Sequence, residues 1–250
     1  MRGYFLLFVV LAFVIVSCTF TENIYISENG TGKFSVDIDG SAFLQISGDQ
    51  TDGQIGTESK NEVDSTFTFK QLFEDKKDSI AQLSPEEQKE LKKLENVVIT
   101  TKMNTHKKQF LMTLSSDFKK VSDLQDMLQA MSKLKEIGKD SKLYQMIPMD
   151  NNLSNHSTLS YSFDKKEFSR KAIIDKAKKP VAVNDSIEDM AKMFFASSKY
   201  ILNYHFPKTI KNVSSTNAVI SDDRRSVTIE YPLTLYLDTP EKLDLKIEFE

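Results

Sequence analysis

The residue with the clearest chemical prospect is Cys18, the only thiol in a chain of 250 residues. It stands behind Ile15-Val16-Ser17, at the end of an apolar run from Tyr4 to Val16 that follows Met1-Arg2-Gly3. As the lone cysteine it can form no internal disulfide. The run before it falls short of the roughly 20 apolar residues that span a bilayer, and one positive charge precedes it, which is the shape of an export signal.

Other chemistry finds little support. His106, His156 and His205 stand apart, without the helical His-Glu-x-x-His pair that holds zinc. No Gly-x-Ser-x-Gly turn presents a nucleophile, and the eight glycines form no phosphate-cradling loop before a helix. The acids Asp49, Asp52, Glu58, Glu62 and Asp64 lack the alternating spacing of a calcium loop. Lys107-Lys108, Lys119-Lys120 and Lys178-Lys179 are short basic steps interleaved with acids, which read as solvated faces. With 33 Lys+Arg against 36 Asp+Glu, the balance excludes a strongly basic nucleic-acid binder. The expectation is therefore no catalytic site, no cofactor, no metal and no nucleic acid.

The elements that would carry these residues are mostly strands. Asn23–Glu28 and Lys33–Asp39 alternate apolar and polar residues on either side of Asn29-Gly30, the pattern of a β-hairpin. Thr19–Glu22 reads as a tether before it, and Ala42, Leu44 and Ile46 as a third strand or a helical turn. Gly48–Asp64 reads as a polar surface loop. Ser84-Pro85-Glu86-Glu87 places a capping hydroxyl, a proline and a Glu as a helix start, with a surface helix running to about Asn96. Val97–Met103 and Gln109–Leu114 suggest a second hairpin, and Val121, Leu124, Met127, Leu128, Met131, Leu134 and Ile137 a core-facing helix stripe. A third hairpin is expected from Leu159–Phe163 and Phe168–Ile174, then a helix capped near Asp185. Four alternating segments follow, at Lys199–Phe206, Asn217–Ser221, Ser226–Tyr231 and Leu243–Phe249, with a polar turn at Asp222–Arg225.

This pattern predicts an α+β fold with antiparallel β-hairpins and a β-rich C-terminal part packed with about three helices. The expected organisation is a signal peptide over 1–17, a lipidated tether over 18–22 and an α+β domain over 23–250. An Asn-rich loop near 150–157 could divide that domain.

Ile15-Val16-Ser17-Cys18 resembles the lipobox of bacterial lipoproteins: an aliphatic residue, a small residue and a cysteine. The resemblance implies diacylglyceryl transfer to Cys18 and cleavage just before it, leaving the chain held to a membrane. Cleavage would remove only Arg2 among the charged residues, leaving 32 Lys+Arg against 36 Asp+Glu. Such a mildly acidic chain is not drawn to anionic lipid by its charge.

The leader, the lipobox, Phe67-Thr68-Phe69, Lys77-Asp78-Ser79-Ile80 and the capped Glu/Lys helix resemble uncharacterised cell-envelope lipoproteins of Bacteroidetes, of the flavobacterial type. That resemblance brings no activity with it. Asp64-Ser65-Thr66, Asp78-Ser79-Ile80 and Asp185-Ser186-Ile187 resemble the sites at which these bacteria O-glycosylate exported proteins, which implies Ser65, Ser79 and Ser186. The acidic run that directs such lipoproteins to the cell surface is weak, since Thr19–Asn23 holds a single acid, so a periplasm-facing leaflet is expected. The leading expectation is a non-enzymatic lipoprotein that binds an envelope partner or supports assembly. A carrier of a lipid or other apolar ligand is the alternative, suggested by 17 Phe and 9 Met. A hydrolase with an unrecognised site comes third.

Overall fold

The computed structural model describes residues 17–46, 62–128, 130, 157–174 and 196–250. The leader, the acid-rich loop up to 61, the end of the Met-bearing helix and the helix expected at Asp185 lie outside the described residues.

Strands β1 (Thr19–Ile26) and β2 (Gly32–Asp39) pair antiparallel around Gly30, whose φ of 81° is the positive value that Asn-Gly supplies at a tight turn. Asn29 reinforces the turn, its side-chain oxygen accepting from the Thr31 backbone N–H at 3.1 Å. A helical turn, α1 (Ser41–Ile46), follows, and β3 (Glu62–Thr68) returns to the sheet. The Thr68 and Ser84 side chains cap α2 (Phe69–Asp75) and α4 (Pro85–Lys92) with reciprocal capping boxes, and α3 (Lys77–Ile80) lies between them. β4 (Val98–Asn104) and β5 (Gln109–Phe118) form the second hairpin. A helical stretch at 123–128 then places Leu124 and Met127 in the core.

β6 (Ser157–Phe163) and β7 (Glu167–Ile174) make the third hairpin, and β8 (Lys199–His205), β9 (Ile210–Val213), β10 (Val219–Ile220), β11 (Ser226–Pro232) and β12 (Leu245–Phe249) follow. A helix, α5 (Leu233–Asp238), and a 3-10 turn, Pro240–Leu243, interrupt them. The strands form an eight-stranded sheet in the order β10-β11-β8-β1-β2-β5-β4-β3 and a four-stranded sheet in the order β6-β7-β12-β9. The fold is thus α+β and strand-rich, and every pairing is antiparallel except β1 with β8.

Two expectations change. Thr19–Glu22 is paired on both sides, to β2 and β8, so the stretch read as a tether is the first half of a central strand. Its buried residues are Phe20 and Glu22, and the carboxylate there disguises the strand because its partners are distant in sequence. The polar loop ends sooner than expected, because Glu62–Asp64 pairs with Lys102–Asn104 in β4.

Alternation along β1 sends Phe20, Glu22, Ile24 and Ile26 inward and Thr19, Thr21, Asn23 and Tyr25 to the opposite face. The inward face joins one contiguous core that takes in both sheets. Aromatic rings fill the space between the sheets near β8, where Phe168 lies 5.2 Å from both Tyr204 and Phe206, and Phe206 lies 5.0 Å from Phe249.

Candidate functional site

Cys18 precedes β1 directly. Its carbonyl accepts the Lys199 backbone N–H at 2.9 Å, continuing the parallel β1/β8 ladder, and the residue is 1% exposed. An anchor on this residue would therefore sit at one end of the eight-stranded sheet with no spacer. Ser65 lies half-buried in β3, the backbone of Ser79 belongs to α3, and Ser186 is outside the described residues. His106 sits in the β4–β5 turn and His205 in β8, and His156 is outside the described residues. Among the described residues no group of three or more His, Cys, Asp and Glu is placed to share a metal ion.

What the sequence reading missed is Glu22. Its carboxylate is 1% exposed and faces Arg170 of β7, which is 0% exposed, across the gap between the sheets. Arg170 Nη2 donates to Glu22 Oε2 at 3.3 Å and Nε to Oε1 at 3.4 Å, while Nη1 donates to the Leu243 carbonyl at 3.1 Å. Three phenols complete the shell: Tyr161 and Tyr204 donate to Oε1 at 2.7 and 2.5 Å, and Tyr200 donates to Oε2 at 2.6 Å. Glu22, Tyr200 and Tyr204 come from the eight-stranded sheet, and Tyr161 and Arg170 from the four-stranded one.

Burial alone would push the Glu22 carboxyl up, but the Arg170 charge and the three phenol hydrogen bonds outweigh it and hold the group below the usual carboxylate range. Burial, followed by the Glu22 charge, pushes all three phenols well above their ordinary value. The site therefore holds one anion, one cation and three neutral phenols. Oε1 already receives three donors and Oε2 two, so the carboxylate has no free position from which to take a substrate proton. As arranged, the cluster locks one sheet to the other in a fixed register.

Signals for this cluster do stand in the sequence. Glu22 keeps the inward phase of Phe20, Ile24 and Ile26, Arg170 that of Phe168, and Tyr200 and Tyr204 that of Leu202 and Phe206. A charged residue in core phase on two separate strands is the pattern of a buried pair.

The opposite face of the large sheet is polar. Asn23 Nδ2 donates to Asp37 Oδ2 at 2.7 Å and to Ser35 Oγ at 3.2 Å, while Asn203 Nδ2 donates to Asn23 Oδ1 at 3.0 Å. Thr228 Oγ1 donates to Asn203 Oδ1 at 3.2 Å, Thr113 Oγ1 to Asp37 Oδ1 at 2.8 Å, and Thr66 and Thr100 share a hydrogen bond of 3.1 Å. The cross-strand chain thus runs over five strands, from β11 to β5, and the Thr66–Thr100 pair carries the polar row on across β4 and β3. One row further along, Tyr25 stacks on His205 with ring centroids 4.2 Å apart and planes 6° apart. Register places Lys33 beside Tyr25 and Asp117 beside Lys33. An open groove of about 510 Å³ lies at this end. Burial pushes the His205 imidazole down, against a smaller upward pull from Asp223, so the ring is neutral at neutral pH. Its Nε2 is buried without a hydrogen-bond partner among the described residues.

No protein-family model matches the chain, and no curated protein matches it. Among solved structures it is similar to the folded domain of LppM from Mycobacterium tuberculosis, determined by NMR. That similarity covers 93% of this chain and 89% of the other, with 7% identity and a TM-score of 0.39. Likeness at that level carries no inference about what this chain does.

Proposed function

We propose that this protein is a lipoprotein of the bacterial cell envelope, held to a membrane by diacylglycerol on Cys18 and serving a non-enzymatic binding or structural role. The observation that carries the reading is the placement of Cys18: the leader and Ile15-Val16-Ser17-Cys18 run straight into β1, so cleavage before Cys18 would leave the strand whole. Two or three acyl chains, at about 0.8 kcal/mol per buried CH₂, give effectively permanent attachment. Among the described residues no helix is long and apolar enough to cross a membrane. Because Cys18 is buried in the full-length chain, acylation requires its side chain to turn outward at the first residue of the mature strand. A non-enzymatic role agrees with the saturated hydrogen bonding of Glu22. The weak acidity after Cys18 favours a periplasm-facing leaflet.

Mass spectrometry of membrane-extracted protein tests this, comparing the wild type with Cys18→Ala. The expected result is a mature chain beginning at Cys18 with added acyl mass, lost in the variant together with membrane retention. An unmodified wild-type chain, or one that stays in the membrane fraction without Cys18, overturns the reading.

A further inference from the structure

The eight-stranded sheet carries an exposed aromatic plate at the end of β1 opposite Cys18, and nothing in the proposed anchoring explains it. Tyr25 is 48% exposed, although its inward neighbours Ile24 and Ile26 are buried. Seven residues of strand separate it from Cys18, about 23 Å at the usual rise of 3.3 Å per residue. Its ring does not stand alone, since His205 backs it in near-parallel contact. The plate is therefore held in one orientation before any ligand arrives, which lowers the ordering cost of binding.

Around the plate apolar surface and polar groups are mixed. The groove is lined by Tyr25, Ile26 and Phe118 together with Ser27, Thr31, Lys33 and Asp117. Lys33 and Asp117 cancel in charge, and His205 adds none. The next row across the sheet holds Asn23, Asn203, Ser35 and Thr228, all short amide or hydroxyl side chains. A polyanion would need several unopposed cations, and here Lys33 stands opposite Asp117 while a second acid, Asp223, lies near His205. A protein partner would need a cluster of apolar anchors, and the large apolar side chains exposed on this face among the described residues, Tyr25 and Val219, stand three strands apart.

From this geometry we propose that the Tyr25–His205 end of the sheet binds a neutral glycan, one sugar ring stacking on Tyr25 while its hydroxyls exchange hydrogen bonds with Lys33 and Asp117 and donate to the Ser27 and Thr31 oxygens, whose own O–H groups are held within the turn. A pyranose has the matching chemistry: an apolar C–H face that packs on an aromatic ring, and an edge of hydroxyls that exchange hydrogen bonds with short polar side chains and a charged pair. The rows of Ser, Thr and Asn beyond the plate give an extended chain further hydrogen-bonding partners across the strands. If Cys18 is acylated, the plate lies on the side of the protein away from the membrane. That orientation rests on the anchor reading, while the ligand class does not.

The test uses the full chain in detergent, titrated by calorimetry and by saturation-transfer NMR with cellotetraose, maltotetraose and the tetramer of N-acetylglucosamine. At least one should bind with a Kd of about 1 mM or tighter, with saturation transfer concentrated on the ring C–H protons of the sugar. Tyr25→Ala should weaken that binding about tenfold, and Tyr25→Phe, which keeps the stacking face, should leave it within about threefold. Thermal melting of the two variants shows that both remain folded. Cys18→Ala should bind the sugar as the wild type does, so a failed anchor leaves this result standing. The proposal is overturned if none of the three sugars binds at about 10 mM, if Tyr25→Ala binds unchanged, or if heparin binds more tightly than all three.

Discussion

Glu22 and Arg170, 148 positions apart in the chain, meet as an ion pair with both side chains out of solvent. Each lies on a different sheet, so the pair exists only when the two sheets are packed in register. Removing one member leaves the other as an unpaired buried charge, which costs about 3–5 kcal/mol. Glu22→Gln keeps the shape and an oxygen acceptor but strands the guanidinium; Arg170→Met strands the carboxylate. Chemical denaturation should show each single variant destabilised by about that amount. The double variant should lose clearly less than the sum of the two, because neither charge remains to be desolvated. Additive losses would show that the pair contributes no coupling.

The same cluster sets the pH range of stability. The Glu22 carboxyl is held below its ordinary range in the folded chain, so its contribution is fully present above the unfolded value of roughly pH 4.3 and is lost as pH falls through the lower folded value. The phenols of Tyr161, Tyr200 and Tyr204 are raised, so their contribution is fully present below roughly pH 10 and is lost as pH rises through the higher folded values. Thermal melting across pH should therefore give a plateau bounded by an acid and an alkaline decline. Tyr204→Phe removes one donor from Oε1, which lets the Glu22 value rise and moves the acid decline to higher pH, at a cost of about 1–3 kcal/mol on the plateau. An acid limb that stays in place in Tyr204→Phe would mean that another carboxylate controls it.

The three hairpins were legible because their signals are local: alternation, and the turn residues Asn29-Gly30, lie within a few positions of each other. The Ser84 capping box was legible for the same reason, its partner Glu87 being three residues on. The Glu22 cluster was legible only in part: Glu22 and Arg170 keep core phase on their strands, but the five members come from four strands, and only packing shows which of them meet. The parallel pairing of β1 with β8 was equally hidden, since register across so long a separation is decided by the packed core and not by either strand. α5 escaped because Leu233–Asp238 carries no side-chain cap and follows a strand without a break. Cys18 stood out as a residue, but its place at the head of a central strand required the fold.

Asn23 tests the polar face independently of the core. It is 7% exposed and joins β8 to β2 through Asn203 and Asp37. Asn23→Ala leaves the Asn203 amide and one Asp37 oxygen to find water in a half-covered row, a loss of about 1–2 kcal/mol. Asn23→Asp should cost more, because it sets a second carboxylate against Asp37. Urea unfolding with an unchanged m-value checks both. Asn23→Asp as stable as Asn23→Ala would mean that Asp37 is not close enough to matter in solution.

Two glycines at the β1–β2 hairpin separate conformational strain from steric exclusion. At Gly30 a methyl group would meet nothing within 4 Å, so Gly30→Ala costs only what the positive φ imposes, about 1 kcal/mol. At Gly32 a methyl group would collide with the Tyr25 carbonyl oxygen and the Phe118 ring. The carbonyl belongs to β1 and cannot swing aside as a side chain can, so Gly32→Ala has to separate β1 from β2 at that point. The expected cost is about 3 kcal/mol, the upper part of the range for overpacking. At roughly 2–4 °C per kcal/mol for a chain of this size, the melting temperature should fall clearly further in Gly32→Ala than in Gly30→Ala. The Tyr25 ring rides on the same backbone that must move, so Gly32→Ala should also disturb the stacking on His205, which NMR ring-current shifts of the His205 imidazole protons would report. Equal losses of stability in the two variants would mean that the hairpin end is looser than its packing implies.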